Sequence, residues 1–258
     1  MRCRRVVVVL GLAGWLGICA RGKAGDHPVY ELRIYTASPG KLDALQARFR
    51  EHTTRLFEKH GMTNIGYFIP ADEQHGRDST LIYLLQHSSP AAAEASWQAF
   101  REDPAWKAVK AASESDGVPL AAKVESIFLD PVDYSPDLNT VRDKIGACVY
   151  ELRTYRASPG KLPNLHARFR EHTTKLFEKH GMINVLYATP RRPDQGRDDT
   201  LIYLLAFPSR EAARQAWKAF GEDPEWKAVK AASEPDGVPL AAKVESLFLE
   251  PTDYSPLK

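Results

Sequence analysis

Cysteine is nearly missing from this chain: there are three in 258 residues, and two of them, Cys3 and Cys19, fall in the first two dozen positions. If those positions form a removable leader, one thiol remains at Cys148, and one thiol closes no internal disulfide. An excess of charge of either sign is also lacking. With 35 Lys and Arg against 33 Asp and Glu, the formal charge is +2, which gives no field of the kind nucleic-acid binding requires. No nucleic-acid partner is expected. The glycine of Ser38-Pro39-Gly40-Lys41 does not belong to a phosphate loop, because the Gly-x-x-x-x-Gly-Lys spacing is missing. No complete catalytic motif and no metal-ligand spacing is found, so neither a metal nor a cofactor is expected.

What is present begins with a leader. Arg2, Arg4 and Arg5 precede an uncharged run from Val6 to Ala20, and Arg21-Gly22-Lys23-Ala24-Gly25 then supplies small residues. A basic start, an apolar run and a small-residue cleavage site make a secretory signal peptide. The run falls short of the ~20 residues that span a bilayer, so no membrane attachment is expected once residues 1–24 are removed after Gly22-Lys23-Ala24. A lipoprotein reading of Leu16-Gly17-Ile18-Cys19 is weaker, because bulky Ile18 stands where a small residue is expected. The expected location is the periplasm or the exterior.

An offset of 120 residues then maps the chain onto itself. Val29-Tyr30-Glu31-Leu32-Arg33-Ile34-Tyr35 returns as Val149-Tyr150-Glu151-Leu152-Arg153-Thr154-Tyr155, and Asp116 through Ser126 returns as Asp236 through Ser246, with no gap. Two copies of domain size are implied rather than a solenoid: residues 25–130 and 148–258, joined by a linker over 131–147. The composition, 43% apolar and 26% charged, is that of an ordinary globular protein.

Period and punctuation give the elements. Val29 to Tyr35 alternates and is rich in strand formers. Leu42, Leu45, Phe49, His52, Leu56 and His60 recur every three or four residues and predict one long helical stripe, which Gly61 ends. Asn64–Ile69 and Thr80–Leu85 read as strands. Ser89-Pro90 opens a helix, Asp103-Pro104 interrupts it, and Lys123–Leu129 reads as a last strand. The order β-α-β-β-α-β is that of a ferredoxin-like unit with helices on one face of an antiparallel sheet. The other face must be hidden, so the two repeats are expected to pack sheet to sheet as an α+β barrel within one chain. Further association of whole chains stays open.

Tyr-Glu-Leu-Arg-x-Tyr, Pro-Gly-Lys-Leu, Phe-Glu-Lys-His-Gly-Met and Trp-x-x-Phe-x-x-Asp-Pro-x-Trp together resemble the NIPSNAP family, in two tandem domains covering nearly all of 29–129 and 149–249. The resemblance implies the dimeric α/β barrel fold and says little about activity. Other families of that fold include cofactor-independent monooxygenases and haem-handling enzymes, which is analogy at the level of fold.

Alternation in the first strand puts Tyr30, Leu32 and Ile34 on one face and Glu31, Arg33 and Tyr35 on the other. The apolar set is expected to meet the helices, which sends Glu31, Arg33, Tyr35, Glu151, Arg153 and Tyr155 into the barrel as the floor of a pocket. A structural ion pair of Glu31 with Arg33 is the plainer alternative. His52 and His172 are expected on the helix stripe facing the sheet, as a base or as bonded core residues. Tyr67 and Tyr187 offer pocket hydroxyls, while the tryptophans fit helix packing. Two functions remain: a non-catalytic exported module that binds a small ligand in the barrel or a protein partner, and a cofactor-independent monooxygenase or isomerase-like enzyme acting through Tyr35, Arg33 or His52.

Overall fold

The computed structural model describes residues 27–143 and 145–258. The expected leader, with Cys3 and Cys19, lies outside the described residues. Each repeat has the expected order. In the first, β1 (Val29–Ala37) leads to α1 (Leu42–Arg48), which runs through a π-helical turn, Phe49–Thr53, into α2 (Thr54–Lys59). Then come β2 (Thr63–Pro70), β3 (Thr80–His87), α3 (Pro90–Glu102), α4 (Pro104–Ser113) and β4 (Ala121–Pro131). A short α5 (Leu138–Arg142) lies in the connection. The second repeat follows with β5 (Val149–Ala157), α6 (Leu162–Arg168), a second π-helical turn, Phe169–Thr173, and α7 (Thr174–Lys179). It ends with β6 (Ile183–Pro190), β7 (Thr200–Phe207), α8 (Arg210–Glu222), α9 (Pro224–Ser233) and β8 (Ala241–Pro251).

Local chemistry explains the boundaries. The Ser89 hydroxyl accepts the Ala92 amide at 3.1 Å as N-cap of α3, and Pro90 takes a first-turn position where its missing N–H is not needed. Asp103 ends α3 and caps α4 by accepting the Ala105 amide at 2.8 Å. Gly61 follows α2 at φ +77°, a left-handed residue that glycine adopts without strain.

All eight strands form one closed barrel in the order β1-β3-β2-β8-β5-β7-β6-β4. Within each repeat the pairing is that of the ferredoxin-like unit. The repeats join edge to edge, β2 to β8 through Phe68–Pro70 and β4 to β6 through Leu129–Pro131.

The barrel interior is apolar and filled. Tyr30, Leu32, Ile82, Leu84 and Leu129 meet Tyr150, Leu186, Ile202, Leu204 and Leu249 there, and the space left among them is about 20 Å³, on the order of a single water. Size is traded across the pseudo-twofold. Gly66 makes room for the Phe68 ring in one repeat, and Leu186 with Ala188 occupies the matching places in the other. The expected ligand cavity in the barrel is therefore corrected: eight strands close around side chains alone.

Two further cores lie outside the barrel, between each half-sheet and its helices. In the first repeat Phe49, Phe57, Tyr67, Tyr83 and Phe100 interlock, with ring centroids of Phe57 and Phe100 4.9 Å apart. The segment after the last strand of each repeat then crosses to the other repeat. The Tyr187 amide donates to Ser135 Oγ at 3.0 Å, and the Tyr67 amide donates to Ser255 Oγ at 2.9 Å. Arg170 grips Asp133 and Arg50 grips Asp253, each through two bonds. The Asp-Tyr-Ser-Pro words at 133–136 and 253–256 are thus reciprocal straps.

Candidate functional site

The face of β1 that carries Glu31, Arg33 and Tyr35 turns outward to the helices, and Tyr30 and Leu32 turn into the barrel. The expected inward floor is thus reversed, and the donors available in each layer give the reason. The barrel interior holds aliphatic and aromatic side chains, whereas the helix layer offers polar partners to a buried carboxylate. Glu31, 1% exposed, accepts from Arg33 Nη1 at 2.6 Å, Trp97 Nε1 at 2.6 Å, Ser126 Oγ at 2.6 Å and His87 Nε2 at 3.0 Å. Burial works to raise this carboxyl, but the His87 bond, the Arg33 charge and the other donors outweigh it and hold the group at about 2. Arg33 reaches on to the Tyr35 hydroxyl at 3.3 Å and stacks over the Trp97 ring, 4.3 Å from its centroid. Burial would lower its basicity, yet Tyr83, Tyr35 and Glu31 together raise it.

Above this cluster lies an open groove of about 760 Å³, within the range of small-molecule sites. Its floor is Glu31, Arg33, Tyr35, Trp97, Phe100, Trp106, Ser126 and Phe128. Its rim is Pro90, Glu94 and Arg101 from α3, with Arg191, Arg192 and Pro193 from the β6–β7 connection of the other repeat. The Arg191 amide donates to Phe128 O at 2.8 Å, and Gln195 Nε2 donates to Ser126 O at 2.8 Å, which fixes that connection on β4.

The second repeat rebuilds the floor. Glu151 accepts from Arg153 Nη1 at 2.5 Å, Trp217 Nε1 at 2.6 Å and Ser246 Oγ at 2.5 Å, and Arg153 bonds the Tyr155 hydroxyl at 3.2 Å. Phe207 stands where the first repeat has His87. Every floor residue is identical between the repeats, and every rim residue differs: Arg210, Arg214, Gly221, Ala71, Asp72 and Glu73 replace the six of the first groove. Arg210 reaches across the rim of this second floor. Its guanidinium lies 4.8 Å from the Phe248 ring centroid and pairs with Asp72 at 2.5 Å.

The other candidates lie elsewhere. His52 and His172 are about half exposed and face away from the sheet, on shallow grooves between α1 and α4 and between α6 and α9. The expectation that they face the sheet is corrected: the π-helical turn adds a residue, so the inward positions after Phe49 are Thr53 and Phe57. Tyr67 and Tyr187 are fully buried in the helix layers, each donating its hydroxyl to an asparagine, Asn64 or Asn184. Burial pushes both phenols well up. Cys148 is half-buried against the barrel core, and burial raises its thiol, the opposite of an activated nucleophile. Sequence reasoning missed Trp97 as a hydrogen-bond donor, Ser126, His87 and the rim arginines. The recurrence of Trp and Ser at the 120-residue offset was a signal for the first two, though it does not single them out.

Among the described residues no three His, Cys, Asp or Glu side chains gather as metal ligands, and no helix is long and apolar enough to cross a membrane. Comparison with curated proteins found no match. Among solved structures, the chain is similar to a candidate monooxygenase from Fusobacterium nucleatum (12% identity, TM-score 0.55, 90% of this chain and 93% of that one). It is also similar to one from Lactobacillus acidophilus (15%, 0.52, 87% and 94%). Likeness at such identity speaks for the fold alone. A NIPSNAP family protein of unknown function from Agrobacterium tumefaciens matches at 22% identity and TM-score 0.38, over 43% of this chain and 95% of that one. The family model NIPSNAP matches twice, over residues 30–136 and 150–256. With most of its length covered and each repeat matched on its own, the chain belongs to the NIPSNAP family, as two tandem domains.

Proposed function

We propose that this chain is an exported binding module that takes one small ligand in the outer groove of its first repeat. The observation that carries the reading is the contrast above: a shared floor, open under one rim and bridged by Arg210 under the other. A binding role rather than acid-base chemistry is supported by the state of Glu31, which is saturated by four donors and held at about 2. A carboxylate so acidic is a poor proton acceptor at neutral pH. Aromatic walls at Trp97, Phe100, Trp106 and Phe128 suit a flat apolar body.

Titration with a panel of neutral, cationic and anionic naphthyl compounds, followed by calorimetry, tests it. At least one member binds saturably, at one per chain. Glu94→Trp, which fills the groove from an exposed helix position, removes that binding, and the double change Arg210→Pro with Asp72→Arg raises the stoichiometry to two. Saturable binding that ignores Glu94→Trp, or no saturable binding by any member, overturns the reading.

A further inference from the structure

We propose that the ligand of the first groove is a small aromatic acid, held by a carboxylate or a sulfonate against the rim arginines, and this rests on the outer-groove reading. The groove is lined by four guanidinium groups, those of Arg33, Arg101, Arg191 and Arg192, against two carboxylates, Glu31 and Glu94. Glu31 and Arg33 neutralise each other at the floor, 2.6 Å apart. The lining of the rim holds three guanidinium groups against the carboxylate of Glu94, with Asp130 and Asp194 beside Arg191 and Arg192.

The rim cations are not fully committed. Arg192 pairs with Asp194, but both are about 60% exposed, and such surface pairs are weak. Arg191 pairs with Asp130 at 2.7 Å while about a third exposed. Arg101 forms no ion pair among the described residues and is exposed at the groove edge. An incoming anion can displace such partners, because it meets planar donors suited to two-pronged recognition of a carboxylate.

The second repeat sharpens the assignment. At the places of Arg101, Arg191 and Arg192 it has Gly221, Ala71 and Asp72, while Arg210 and Arg214 stand at the places of Pro90 and Glu94 and are each paired with a carboxylate, Asp72 and Glu211. There Arg210, which lies over the Phe248 ring, is already paired with Asp72, a carboxylate supplied by the protein itself. The second repeat thus displays a pairing of the kind proposed for the first groove, a guanidinium that lies over the Phe248 ring and holds a carboxylate.

The experiment compares 2-naphthoate, its neutral isostere 2-naphthamide and 2-naphthylmethylammonium on the full chain at low salt. The expected order puts 2-naphthoate about tenfold tighter than the amide, about 1.4 kcal/mol, with the ammonium weakest. In Arg101→Ala with Arg192→Ala, both exposed positions, that preference falls below about threefold while the amide binds as before. If the amide or the ammonium binds in the groove as tightly as the acid, or the double variant keeps the preference, the ligand class is wrong and the groove reading stands. If none of the three responds to Glu94→Trp, the groove reading itself has failed.

Discussion

Over β1 the first repeat leaves an open groove rimmed by guanidinium groups; over β5 the second lays Arg210 across the same floor and ties it to Asp72. The floors are identical in sequence because they serve the fold: a buried glutamate collects the donors of an arginine, an indole and a serine, and thereby fastens α3 and β4, or α8 and β8, to the central strand. The rims share no residue. Stability and recognition are thus carried by different layers of one groove, and the two repeats can be set against each other as internal controls.

The largest expected effect is on the shared floor. Glu31→Ala leaves the Arg33 charge buried without its partner and should cost about 3–5 kcal/mol in urea unfolding. Glu151→Ala should cost roughly 1 kcal/mol less, since Phe207 leaves it one donor short. Equal losses would show that His87 adds nothing to the first repeat.

His87→Phe gives Glu31 the neighbour that Glu151 has, and a ring is tolerated there because Phe207 packs near Phe248, with centroids 6.5 Å apart, much as His87 packs near Phe128 at 5.9 Å. The carboxyl of Glu31 sits at about 2 in the folded protein, below its ordinary 4.5. Its contribution to stability is therefore complete above pH 4.5 and fades as pH falls toward 2. Without the histidine bond the folded value rises. The parent should exceed the variant by about 1–2 kcal/mol at pH 7, with the gap shrinking by pH 3. A gap that stays constant between those two unfolding series would contradict this origin.

The smallest contrast concerns the straps. The Tyr134 hydroxyl bonds His166 Nδ1 at 2.8 Å, while at the matching place beside Tyr254 the first repeat has Gln46, and no such bond to it is made. Tyr134→Phe should cost about 0.5–1.5 kcal/mol and Tyr254→Phe close to nothing, read as the difference between their midpoints of unfolding.

Much of this architecture is legible in the sequence, because strand and helix periods, Ser89 and Asp103 as caps, and the 120-residue offset are local signals. Alternation separates Tyr30, Leu32 and Ile34 from Glu31, Arg33 and Tyr35, yet it cannot say which set meets which layer. That choice is made by Trp97, 66 residues away, and Ser126, 95 residues away, which bring donors to Glu31 on the helix side. His52 lies off the sheet-facing stripe for a different reason. A π-helical turn shifts the inward stripe by one residue, and nothing in Phe49-Arg50-Glu51-His52-Thr53 announces it. The straps were hidden because Asp133-Tyr134-Ser135 reads as linker until its echo at Asp253-Tyr254-Ser255 is seen to grip the opposite half.

The peptide that runs from β4 through α5 to β5 has a consequence for inheritance. When a barrel is assembled from two copies of a single chain, each substitution appears on both sides of the twofold axis at once. A change such as Pro to Arg at the start of α3 would then set an arginine over every floor in the assembly. Joining the halves in one gene removes that constraint, so one half can change its rim while the other keeps it, and the strands that bind them together need not change at all.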